Sequence, residues 1–131
     1  MAGSFDEIAW ADVEGGGYMV MGKSASSYEY NVAYGLYVNR LEFLFQVSYW
    51  GGRSLRGGLV LDFLVYTAPL PTPVWVNGGY WHGQKREKQD EIQQRRLWVE
   101  LAGIVNRPVI FWDDDCNTMD AAVSAVRRDL K

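Results

Sequence analysis

Two residues stand apart by type and setting: Asp62, a carboxylate inside the apolar run LVLDFLVY, and His82, the only histidine, which follows the turn-forming stretch VWVNGGYW. An ionised carboxylate inside an apolar strand costs on the order of several kcal/mol unless it meets a cation, a metal or hydrogen-bond donors. Asp62 therefore reads as a metal ligand, or else as a group that caps a loop or pairs with an arginine such as Arg53. Around His82, glycines let backbone approach a neighbour closely and aromatic rings exclude water, so an imidazole there can exchange a proton near neutral pH. The alternative is a histidine that is simply packed or solvated.

Other acids are weaker signals. Asp90 is placed in the first turns of a helix, where it can orient His82 or reach a metal through water, and where it also complements the helix N-terminus. Glu29 closes the pattern SSYE, so a capping box already accounts for it. Asp113 to Asp115 read as a solvated loop and helix cap ahead of a cation site. Glu42, Glu87, Glu91 and Glu100 have nothing to distinguish them from surface charges.

The inventory removes several chemistries. One cysteine, Cys116, and one histidine cannot make a common zinc ligand set or an intramolecular disulfide, and the simplest setting is a reducing interior with a buried, inert thiol. GGRSLRGG is neither a P-loop nor a dinucleotide fingerprint, and no nucleophile elbow accompanies the histidine. Metal-assisted hydrolysis or no catalysis is what remains. The acidic start and the lack of a long apolar run point to a soluble, cytoplasmic chain with no membrane partner.

A net charge of −3 argues against nucleic acid, yet the charge is uneven: residues 31 to 112 hold nine basic side chains against six acids. Arg53 and Arg56 cluster in one loop, and Lys85, Arg86, Lys88, Arg95 and Arg96 in another stretch. These are either a solvated face or a basic rim for phosphates.

The elements that must position these residues follow from periodicity. The first 25 residues, rich in glycine and acid, read as a loosely attached arm with one strand at YMVM, and 26–131 as one domain. Ser26 caps a helix whose Val32, Leu36 and Asn39 share a face, with Gly35 counting against it. EFLFQVSYW alternates Phe43, Phe45 and Val47 against Leu44, Gln46 and Ser48, as a strand does. LVLDFLVY is a central strand, and a loop with Pro69, Pro71 and Pro73 precedes a short third strand, VWV. A second helix is expected over roughly 85–102 with Ile92, Val99, Leu101 and Ala102 apolar, then a strand at RPVIFW. Asn117 is expected to cap a last helix that buries Met119, Val123, Val126 and Leu130. The fold class is α/β: an αβββαβ core, a mixed central sheet and an extra C-terminal helix.

This order, with an aspartate in the second strand, resembles the core of the PD-(D/E)xK nuclease superfamily. LDFLV, VWVNGGYWHG, QDEIQQRR and RPVIFWDDD are similar to the branch related to the very-short-patch-repair endonuclease and to phage-borne homing endonucleases with an EDxHD pattern. The resemblance covers about residues 26–130 and implies a restriction-endonuclease-like fold and metal-dependent hydrolysis of DNA. It places the catalytic set on Glu29, Asp62, His82 and Asp90. Trp75, Val76 and Asn77 occupy the strand where the superfamily usually carries a glutamate and a lysine. In the repair branch a main-chain carbonyl and a histidine take those roles, which the resemblance maps to the Val76 carbonyl and His82. The zinc-binding cysteines of the repair enzyme are missing, so the EDxHD type fits better.

What the resemblance implies beyond this is Mg²⁺, with Mn²⁺ as substitute, held by Asp62 and Val76, and DNA phosphates on Arg53, Arg56, Lys85, Arg86, Lys88 and Arg95. A domain this small reads a long site as a homodimer or higher homo-oligomer, in the cytoplasm of a bacterial or phage-infected cell. The alternative is a catalytically inactive nuclease-fold module serving in DNA binding or in phage or protein assembly.

Overall fold

The structure is a computed structural model that describes residues 4–12, 15, 17–49, 59–79 and 95–131. In chain order the elements are α1 (Phe5–Ile8), β1 (Ala9–Asp12), β2 (Gly17–Val20), β3 (Lys23–Ala25), α2 (Ser27–Val38), β4 (Phe43–Tyr49), β5 (Leu59–Val65), β6 (Thr72–Asn77), β7 (Val109–Trp112), α3 (Asp113–Cys116) and α4 (Met119–Leu130). Residues 95–100 are also helical. Among the described residues no helix is long and apolar enough to cross a membrane.

The helix before the main sheet starts where its sequence says. Ser26 Oγ accepts from the Glu29 amide at 3.1 Å and Glu29 Oε1 accepts from the Ser26 amide at 2.9 Å, a complete capping box. Gly35, a liability for helix propensity, has a packing reason. A Cβ there would lie 2.7 Å from the Ala122 carbonyl oxygen, so the glycine lets α2 and α4 cross backbone to backbone. Beside it the buried Asn39 donates from Nδ2 to the carbonyls of Gly35 (2.8 Å) and Val123 (3.1 Å), tying the two helices together.

The main sheet has the order β4-β5-β6-β7, antiparallel at the first two seams and parallel at the last. Helices α2 and α4 cover one face, where Val32, Leu36, Ala122 and Val126 meet Phe63, Val65, Val74 and Phe111. Leu97 and Leu101 cover the other face, against Leu61, Leu64, Val47 and Trp75. The protein is therefore α/β; from α2 onward the element order and mixed sheet are those expected, and a second, antiparallel sheet of order β1-β2-β3 precedes them where a single strand was expected.

Several expectations are revised. The segment before α2 is docked: Ala9 and Val20 are fully buried in the main core, and Phe5 sits with its ring centroid 5.2–5.5 Å from those of Tyr30, Tyr34 and Tyr37. Glycine and acid content suggested an arm, but these aromatic anchors fix it to α2. The expected second helix lies partly outside the described residues. In its described end Leu101 packs against the sheet as expected, but the buried position is Leu97, whereas Val99 is 67% exposed and Ala102 is exposed as well. Thr118, not Asn117, caps the last helix, its Oγ1 accepting from the Ala121 amide at 3.0 Å. That helix buries Ala122, Ala125, Val126 and Leu130, which leaves Met119 and Val123 at the rim of the contact. Pro73 belongs to β6 and not to the loop before it.

The alternation in β4 also fails at one point. Phe43 and Phe45 join the α2 face, but Val47 joins the other; in β5, Phe63 and Val65 join the α2 face and Leu61 the other. Both switches fall between the paired positions Phe45↔Phe63 and Val47↔Leu61, where Gln46 and Asp62 stand opposite each other without forming a ladder pair. Gln46 has φ +55°, a left-handed conformation that costs a non-glycine residue about 1–2 kcal/mol. β3 holds it there: Gln46 Nε2 donates to the Ser24 carbonyl (3.3 Å), and Lys23 Nζ donates to the carbonyls of Phe45 (3.1 Å) and Gln46 (3.4 Å).

Candidate functional site

Asp62 sits in β5 at that irregularity, partly buried. Its Oδ2 accepts from the Val76 amide of β6 at 2.7 Å. The β5–β6 ladder runs from Val65↔Thr72 to Phe63↔Val74, so just beyond its last pair the carboxylate supplies the acceptor that a backbone carbonyl supplies elsewhere. The cost of burying the charge is offset by a charge-assisted hydrogen bond. In a strand the N–H and C=O of one residue point to the same side, so the Val76 carbonyl is directed toward β5 as well. The structure thus brings together two of the expected residues, Asp62 and Val76.

The end of β6 is held from two further directions. Gly78 lies against the ring of Tyr28, from the first turn of α2, so closely that no Cβ could be accommodated. Tyr28 donates its hydroxyl to Asp113 Oδ2 at 2.9 Å, and the Gly79 amide donates to the same oxygen at 3.2 Å. Asn117 Nδ2 approaches Asp113 Oδ1 at 3.4 Å. Asp113 follows β7 directly, where Asn77 pairs in parallel with Trp112, so the carboxylate lies where two parallel strands end together. Its hydrogen bond, and then its charge, push the Tyr28 phenol above its ordinary value.

Of the rest of the Asp113–Asp115 run, Asp114 is exposed as expected, whereas Asp115 is built in and serves at the helix start. Asp115 is buried, with Oδ2 accepting from the Trp112 amide (2.9 Å) and Oδ1 from Arg128 (3.1 Å). Arg128 also binds Asp129, and these two carboxylates raise its pKa further, the hydrogen bond to Asp129 foremost. Cys116 is fully buried and its Sγ donates to the Trp112 carbonyl at 3.1 Å. Burial first, then the charges of Asp115, Asp113 and Asp114, push this thiol up to about 12.

The other expected residues fall as follows. Glu29 stands next to Tyr28 at the same end of the molecule, its carboxylate engaged in the capping box. Arg95 is exposed at the start of the helical stretch 95–100. His82, Asp90, Arg53, Arg56, Lys85, Arg86 and Lys88 lie outside the described residues. Among the described residues no group of three or more His, Cys, Asp or Glu side chains could hold a metal ion. Tyr28 was not singled out in the sequence, and Asp113 was read only as part of a solvated run; the available signal was an acid placed directly after the strand RPVIFW.

No family model matches the chain, and no curated protein and no solved structure matches it.

Proposed function

We propose that the chain is a metal-dependent DNA endonuclease of the very-short-patch-repair-like, EDxHD type within the PD-(D/E)xK superfamily. The observation that carries the reading is the seat of Asp62: a carboxylate in the middle of the sheet, outside the regular ladders on both sides, with one oxygen fixed on the Val76 amide. A carboxylate and a main-chain carbonyl are both hard oxygen donors. They suit Mg²⁺, which commonly takes one or two carboxylates and completes its shell with waters and substrate phosphates. Mn²⁺ accepts the same donors.

In this reading Asp62 and the Val76 carbonyl hold the metal, with Glu29 acting through water. Bound Mg²⁺ supplies charge neutralisation at the phosphodiester and acidifies water. His82 moves the proton, as base toward the attacking water or as acid toward the leaving oxygen, and Asp90 fixes its tautomer. Arg53, Arg56, Lys85, Arg86, Lys88 and Arg95 bind backbone phosphates, which orient DNA without reading sequence. A homodimer or higher homo-oligomer extends the site read, in a bacterial or phage-infected cytoplasm.

Plasmid nicking in Mg²⁺ or Mn²⁺ tests this with wild type, Asp62→Asn and His82→Ala. The amide side chain of Asp62→Asn still offers an oxygen to the Val76 N–H, so the sheet is spared while the ligand charge is lost. Both variants should lose cleavage by about two orders of magnitude or more. Undiminished cleavage by Asp62→Asn would sink the mechanism.

A non-catalytic module for binding or assembly is favoured by one observation: Trp10, Tyr66, Trp98, Val99 and Ile104 are exposed apolar side chains. Absence of metal-dependent cleavage on plasmid and branched DNA, with no metal binding, would shift the reading to it.

A further inference from the structure

We infer that Asp113 and Tyr28 are positioning residues for the Asp62–Val76 pair, an inference that rests on the nuclease reading above. The amide that orients Asp62 belongs to the last residues of β6, which pair with β7 through Val76↔Phe111 and Asn77↔Trp112, and the contact set just beyond them ties the same strand end to α2. Gly78 is seated on the Tyr28 ring, and Gly79, at φ +87°, aims its amide at Asp113 Oδ2. Tyr28 closes the triangle by donating to the same oxygen. Three segments distant in sequence, the first turn of α2, the end of β6 and the residue after β7, therefore meet on one carboxylate.

Asp113 is 8% exposed and takes donors from Tyr28, Gly79 and Asn117. Two of those donors share Oδ2 and the third reaches Oδ1 at 3.4 Å, so the carboxylate is tied to the strand end from three directions. Rigid support of this kind matters because a ligand displaced by a fraction of an ångström loses its geometry for the ion. Removing one donor or the acceptor should let the end of β6 drift relative to β5, and with it the orientation of Asp62.

The test uses Mn²⁺ alone, followed by paramagnetic broadening of the Val76 amide signal in NMR titrations of the whole chain. Wild type should show saturable broadening that Asp62→Asn abolishes. Tyr28→Phe, which keeps the ring under Gly78, and Asp113→Ala, which removes the acceptor, should each weaken Mn²⁺ affinity by about tenfold or more. Leu130→Ala, which trims the core at the far end of α4, is the control for lost stability alone and should leave the affinity unchanged. If Tyr28→Phe and Asp113→Ala bind as wild type does while Asp62→Asn does not, the positioning role is overturned and the nuclease reading stands. Equal weakening in Leu130→Ala also overturns it. Mn²⁺ binding indifferent to Asp62→Asn, or absent from wild type, removes the reading and this inference together. Should Asp113→Ala fail to fold, Tyr28→Phe decides.

Discussion

Asp62 and Cys116 show how differently one buried polar group and another can be resolved. Asp62 stays in the sheet because a backbone amide meets it, whereas Cys116 is buried as a neutral thiol among three aspartates. The thiol's pKa is raised by folding, so its contribution to stability is complete below its unfolded value near 9 and is lost as pH rises toward about 12. Stability should fall across that window by up to about 1.4 kcal/mol per pH unit from this one group. Denaturant titrations at pH 8 to 11 check this: Cys116→Ala should flatten the alkaline limb, at a cost of about 1 kcal/mol at pH 7. An unchanged limb would refute it. Tyr28 acts in the same direction at higher pH, since its phenol is also raised, by its bond to Asp113. Asp62, the Ser26–Glu29 box and the buried cysteine were legible in sequence because each is a local pattern: a charge in an apolar run, a spacing of three, a lone thiol. Asp113 was not, because an acid in a row of three looks solvated until Tyr28, far away in the chain, is seen to donate to it.

For the elements, what decides the arrangement is how closely they approach. Helix α2 was recognisable from its cap and apolar spacing, yet the use of Gly35 was hidden, since the partner backbone belongs to α4. Gly35→Ala should gain about 1 kcal/mol in helix propensity and still lose net stability by roughly 1–3 kcal/mol, because its Cβ would push against the Ala122 carbonyl. Thermal denaturation would show a lower Tm; a Tm equal to or above that of wild type would contradict the close crossing. The strands β4, β5 and β7 were visible in their apolar patterns. The Gln46 kink was not, as nothing in FLFQVSY marks a residue with left-handed φ, and it is the hold of β3 on this point that keeps it there. At the 95–100 stretch Leu101 was legible, but Val99 was taken where Leu97 is buried, two residues and more than half a turn away on the helix.

As a whole, the molecule places helices on both faces of a mixed sheet and gathers its polar contacts where β6 and β7 end. That architecture was readable from element order alone; the docking of the segment before α2 was not, because it depends on aromatic contacts with that helix. The parallel β6–β7 seam has a consequence for how the chain reaches this state. β4 and β5 are consecutive antiparallel strands, while Val74 must find Val109 across a much longer stretch of chain. Loop-closure entropy delays the second pairing relative to the first. Val65→Ala, in β5, should therefore slow folding, whereas Phe111→Leu, in β7, should mainly speed unfolding, as stopped-flow denaturant series would show. A folding rate slowed as much by Phe111→Leu would reverse that order. Because Asp113 directly follows β7, the contacts that secure the end of β6 depend on that later pairing, so a ribosome-bound chain that has not yet released residues 109–113 can pair β4 with β5 but lacks the carboxylate that holds the end of β6.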